Sequence, residues 1–97
     1  MAVATGGTTS IAGAAGGTAR VTVFDNTATG GACKTFGVSN RSTSAGPVYV
    51  LVTGLNTEAF PIAPGVSWPF RKDNITEVKI YGDGSNAATV DWGVLIR

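Results

Sequence analysis

The sequence predicts an all-β fold: a small antiparallel β-sandwich or jelly-roll-like barrel of about seven or eight strands, with a flexible N-terminal arm. Three observations lead there. Short runs of β-branched and aromatic residues recur about every ten residues, separated by Gly, Pro, Asn and Asp turn signals. No segment keeps the apolar period of an amphipathic helix over even two turns. The segment 75–97 alternates cleanly, with Val78 and Ile80 opposed to Glu77, Lys79 and Tyr81, and Val90, Trp92, Val94 and Ile96 opposed to Thr89, Asp91, Gly93 and Leu95. Gly82-Asp83-Gly84-Ser85-Asn86 breaks the chain between these two runs, so they are expected to pair as one antiparallel hairpin.

Residues 1–17 form the arm, and residues 18–97 a single domain. After Met1 the arm offers Ile11 as its only large apolar side chain, with Gly6-Gly7 and Gly16-Gly17 as joints. Ordering such a segment costs about 1–2 kcal/mol of backbone entropy per residue, with little burial to offset it. It reads either as a tail or as an arm that orders along a neighbouring subunit. Thr8-Thr9-Ser10-Ile11 has the β-propensity to add to a sheet edge.

The body begins with a strand over 19–25, Val21 and Val23 on one face and Arg20, Thr22 and Phe24 on the other. A loop over 27–31 leads to a second strand over 33–40, with Phe36 and Val38 inward and Lys34, Thr35 and Ser39 toward solvent. The strand over 47–53 is the most apolar. It buries Val48, Val50 and Val52, while Tyr49 and Leu51 make its second face half apolar, as suits a central strand or one covered by a partner. A short strand over 58–62 ends at Pro61, and Pro64-Gly65 has the residue order of a type II turn. Pro69 removes a ladder donor from the strand over 66–71, which assigns that strand to a sheet edge or a bulge.

Composition narrows the function classes. The chain has 97 residues, enough for one core and one domain. Charged residues are 13% of the sequence and glycine numbers 14, a neutral, small-residue surface suited to life packed against partners. The net charge of +1 and a lone basic pair, Arg71-Lys72 beside Asp73, argue against nucleic acid. No stretch approaches the roughly 20 apolar residues of a membrane helix, and no leader pattern precedes the body, so no membrane partner and synthesis in the cytosol are expected.

The chemistry-bearing residues are sparse, and no enzyme activity and no cofactor or metal are expected. There is no histidine, and Cys33 is the sole cysteine, which leaves no intrachain disulfide, no thiolate cluster and no common base for a nucleophilic thiol. Asp25, Glu58, Asp73, Glu77, Asp83 and Asp91 fall in no catalytic frame. Asp91 is expected to face away from Trp92 and to pair with Lys79. The 82–86 loop lacks the ligand spacing of a calcium loop, and the Gly-rich stretches lack the Lys-Ser/Thr of a phosphate loop. Asn40-Arg41-Ser42 and Asn74-Ile75-Thr76 match the glycosylation pattern without a leader to make it meaningful. Trp68, Phe70 and Trp92 are expected in the core. Tyr49 and Tyr81 point away from their apolar neighbours, either as partner anchors or packed beneath a loop.

Three stretches carry a resemblance. Gly46-Pro47-Val48-Tyr49-Val50-Leu51-Val52-Thr53-Gly54-Leu55, then Phe60-Pro61-Ile62-Ala63-Pro64-Gly65 and Trp68-Pro69-Phe70-Arg71, resemble small structural proteins of tailed bacteriophages. The 75–97 segment is similar to their C-terminal hairpin. The resemblance covers about half the chain and implies a capsid decoration, or cement, protein: a virion component on the capsid exterior, assembled in the host cytoplasm. It further implies the major capsid protein as partner and a homo-oligomer, a trimer favoured. Thr8, Thr9, Ser10, Ile11, Tyr49 and Tyr81 are the expected partner-binding residues. The alternative is a receptor- or glycan-binding β-module of a fibre or similar appendage, with Tyr49, Tyr81 or an exposed Trp68 as its platform.

Overall fold

A computed structural model describes residues 6–27, 31–56 and 59–96. The expected start of the arm (1–5), the middle of the 27–31 loop, residue 57 with the start of the fourth strand at 58, and residue 97 lie outside the described residues. Among the described residues eight strands form: β1 (Gly6–Ile11), β2 (Val21–Asp25), β3 (Cys33–Asn40), β4 (Val48–Val52), β5 (Phe60–Ile62), β6 (Ser67–Ile75), β7 (Glu77–Gly82) and β8 (Ala88–Ile96), with one 3-10 turn at Ala15–Thr18. They make two four-stranded antiparallel sheets packed face to face, sheet A in the order β1-β8-β3-β6 and sheet B in the order β2-β7-β4-β5.

The pairing is nested. β1 pairs with β8, β2 with β7, β3 with β6 and β4 with β5, as if one long hairpin were rolled up; β3–β8 and β4–β7 close the roll. That is the strand order of a jelly roll. β7 and β8 therefore do not form the expected hairpin. They lie in opposite sheets, and the 82–86 loop carries the chain across the end of the sandwich. Alternation fixes which side chains point inward, but an inward face is the same whether the next strand lies alongside or opposite.

The core between the sheets comes from the alternating faces. Val48, Val50 and Val52 of β4, Val78 and Ile80 of β7, and Phe36 and Val38 of β3 are all fully or almost fully buried. Each such side chain contributes about 1.5–3 kcal/mol on burial. β4 is a central strand of sheet B. β6 is an edge of sheet A, as Pro69 requires. Pro64-Gly65 turns with the Val66 N–H donating to the Ala63 carbonyl at 3.0 Å and with Gly65 at φ +83, the left-handed value a type II turn demands of its third residue.

Bulges correct the expected faces in two strands. The register of β2 shifts between Thr22 and Phe24, so Val23 and Phe24 are both buried while Val21 is exposed. β3 shifts against β6 between Cys33 and Thr35 and against β8 between Thr35 and Phe36, which turns Thr35 inward, contrary to its expected solvent position. An extra residue in one strand inverts alternation locally and leaves no mark in composition.

Asn40 closes one end of the roll. It is 1% exposed, and its Nδ2 donates to the carbonyls of Gly46 (3.1 Å) and Ile62 (3.0 Å). Its backbone N–H donates to the Val66 carbonyl and its own carbonyl accepts from Gly65. Its side chain thereby joins the segment before β4 to the end of β5, and its backbone joins the turn that follows β5.

Candidate interaction surfaces

Sheet B presents its outer face through the residues between the buried valines. Tyr49 of β4 lies directly opposite Tyr81 of β7 in the ladder, and on its other side opposite Pro61 of β5. The two tyrosine rings stack with centroids 5.4 Å apart at 25°, and the Arg20 guanidinium sits 4.6 Å from the centre of the Tyr81 ring. Pro61, Tyr49, Tyr81 and Arg20 thus form a row across the sheet. Both tyrosines are half-buried, each ring covering part of the other. Such a stack is worth about 0.5–1.5 kcal/mol beyond its area, and an exposed cation over a ring about 0.5–1 kcal/mol. Arg20 was not legible as part of this row, because it precedes β2 and reaches Tyr81 only through the β2–β7 pairing.

Residues 8–11 lie in β1. Their β-propensity is realised along this chain's own sheet: Thr8 stands opposite Asp91, Thr9 opposite Val90, Ser10 opposite Thr89 and Ile11 opposite Ala88. Thr8 Oγ1 donates to Asp91 Oδ1 at 2.7 Å, and Trp92 Nε1 donates to Thr9 Oγ1 at 3.0 Å. Ile11 is 4% exposed and sits over Gly82 of the facing sheet, where a Cβ would stand 2.6 Å from Ile11 Cγ2. A residue that looked unable to anchor an arm does so because glycine lets it enter the end of the core.

Asp91 is held by Arg41, not by the expected Lys79, which lies 3.7 Å from Glu77. Asp91 and Lys79 stand in different sheets once the hairpin opens into a crossover. Arg41 Nε donates to Asp91 Oδ2 at 2.8 Å and Nη2 to Oδ1 at 2.9 Å, a two-pronged contact. These hydrogen bonds, with that from Thr8, hold the Asp91 carboxyl down at about 2. Asp83 is likewise lowered: Asn86 Nδ2 donates to its Oδ2, and the N–H groups of Ser85 and Asn86 donate to its Oδ1, each at 2.8 Å. This carboxylate organises the crossover loop itself. Among the described residues no three His, Cys, Asp or Glu side chains gather as a metal site would require.

Trp68 departs from its expected core position. It is 46% exposed on edge strand β6 and packs on Phe60, with ring centroids 4.9 Å apart; Phe60 in turn meets buried Phe70 edge-on at 5.5 Å. Leu55, Asn56 and Ala59 complete a small hollow beside these rings, in the mouth between the edges of the two sheets. Trp92 is half-buried and stacks on Phe36 at 6.1 Å. On the outer face of sheet A, Gly93 stands between Gly6 and Gly37, and Gly37 opposite Pro69. Gly93, Gly37 and Pro69 of this row floor a shallow depression of about 500 Å³, bordered by exposed Leu95. The chain matches no protein-family profile and no curated protein.

Proposed function

We propose that this chain is a structural virion protein that decorates and stabilises a phage capsid by bridging major capsid protein subunits, as a homo-oligomer with a trimer favoured. The observation that carries the reading is an eight-strand roll among the described residues of a 97-residue chain that is only 13% charged and holds 14 glycines. Jelly rolls recur in capsid and lectin domains, and the link to this chain is an analogy of fold. Exposed Trp68, Leu55, Leu95 and Ile96 supply apolar contact area. Many weak contacts repeated over a lattice give firm attachment without any one of them being strong. On this reading the protein occupies the capsid exterior after assembly in the host cytoplasm.

The test is co-sedimentation with empty capsids assembled from the capsid protein of the same phage. Bound chain and a raised capsid melting temperature support decoration; unbound chain at saturating concentration overturns it.

The Tyr49–Tyr81 stack, with Pro61 and Arg20 beside it, favours a second reading as a glycan- or receptor-binding module. Stacked rings give sugars a flat apolar platform at little entropic cost. A glycan array probed with the free protein distinguishes the readings, since binding abolished by Tyr49→Ala and Tyr81→Ala selects the second.

A further inference from the structure

A sandwich of two open sheets has four edges, and an unprotected edge invites another strand. Three of the four are defended in this chain. β5 is only three residues long with Pro61 at its centre. β6 contains Pro69 and the charged run Arg71, Lys72 and Asp73. β2 is broken by its bulge between Thr22 and Phe24 and ends on Asp25. Bulges, charges, prolines and shortness are the means by which edges are kept from pairing.

β1 carries none of them. Its sequence, Gly-Gly-Thr-Thr-Ser-Ile, has no proline and no charge, and its pairing with β8 runs from Gly6 to Ile11 without a shift. The side chains with a role are already engaged within the chain: Thr8 with Asp91, Thr9 with Trp92, Ile11 in the core. What β1 leaves open is the backbone along its outer side.

We infer that β1 is a strand-addition edge and that its occupant is β1 of a second copy, paired antiparallel about a two-fold axis at Thr8, so that two A sheets become one continuous eight-stranded sheet. The segment suits itself. Centring on Thr8 sets Gly6 opposite the partner's Ser10, Gly7 opposite the partner's Thr9 and Thr8 opposite the partner's Thr8, with no like charges facing and small side chains on both faces. The contact is isologous, each copy giving and receiving the same bonds, which is what a two-fold dimer requires. Ile11 lies beyond the paired stretch and keeps its place in the core. This contact is independent of capsid binding and of a three-fold assembly.

Sedimentation velocity of the full chain from micromolar to millimolar concentration provides the test. A reversible two-fold association is expected, from monomer to dimer or, where three copies also assemble, from trimer to hexamer. Thr8→Lys places a cation beside Asp91 within the chain, which preserves β1, but sets two lysines opposite each other across the two-fold. It should weaken dimerisation by up to about fivefold while leaving the circular dichroism spectrum and melting temperature near those of the parent. Thr8→Cys should give a covalent dimer on mild oxidation, and Ser67→Cys, on the defended β6 edge, should not. A chain that stays monomeric throughout, a dimer indifferent to Thr8→Lys, or equal cross-linking at residues 8 and 67 would each overturn the inference. So would a β1 edge that takes up a strand of another protein but never its own.

Discussion

Asp91 ties three parts of the molecule together, joining β8 to β1 through Thr8 and to the segment after β3 through Arg41. Its carboxyl lies at about 2 in the folded chain against an ordinary 3.8, so the folded state prefers it ionised. That preference is fully present above about pH 4 and fades as pH falls through the folded value. Melting temperatures of the parent and Asp91→Asn should therefore differ most near neutral pH and converge toward about pH 2. Asn40 makes the opposite case. Asn40→Asp would replace a donor to two carbonyls by an acceptor facing them in a fully buried site. A loss of about 3 kcal/mol at neutral pH is expected by urea denaturation. Burial raises such a carboxyl, so the ionisation part of the loss should grow as pH rises above the unfolded value and disappear below it, leaving the smaller cost of one lost donor. Asn40 was legible only as part of a glycosylation pattern, because nothing local shows that it closes the roll.

At the scale of elements, β1 is where sequence reasoning and structure part most clearly. Gly, Ala and Thr in residues 1–17 promise no core, and Ile11 alone looked too little to anchor them. Its burial over Gly82 depends on a residue 71 positions away, which local pattern cannot register. Ile11→Ala should cost about 2–4 kcal/mol in urea denaturation, the range for a core truncation, whereas a loosely held arm would change stability by less than about 0.5 kcal/mol. The β3, β4 and β6 strands were legible because alternation, Pro69 and Pro64-Gly65 each have one local meaning. The bulges in β2 and β3 were not, and neither was the parting of β7 from β8. The stacked tyrosines were half legible: alternation puts both outward, but only the β4–β7 register makes them neighbours.

For the whole molecule, nested pairing sets the order of assembly. Only β4 and β5 are consecutive partners; β3 must find β6, β2 must find β7, and β1 must find β8 from opposite ends of the described chain. Loop-closure entropy is met before these distant contacts contribute. Stopped-flow refolding should run in the millisecond-to-second range typical of all-β folds, and a microsecond phase accounting for the full amplitude would contradict the nested topology. The inner pairs, β4–β5 and β4–β7, should form in the transition state, with β1 joining last.

Cys33 is 1% exposed at the start of β3, beneath both sheets' shared core. As the only thiol in the chain it is a built-in gauge of breathing. A disulfide reagent in excess can modify it only while that part of the roll is open, so the rate of labelling under native conditions reads the free energy of opening directly. Followed alongside the unfolding rate, that reaction tells whether the molecule gives way strand by strand or all at once.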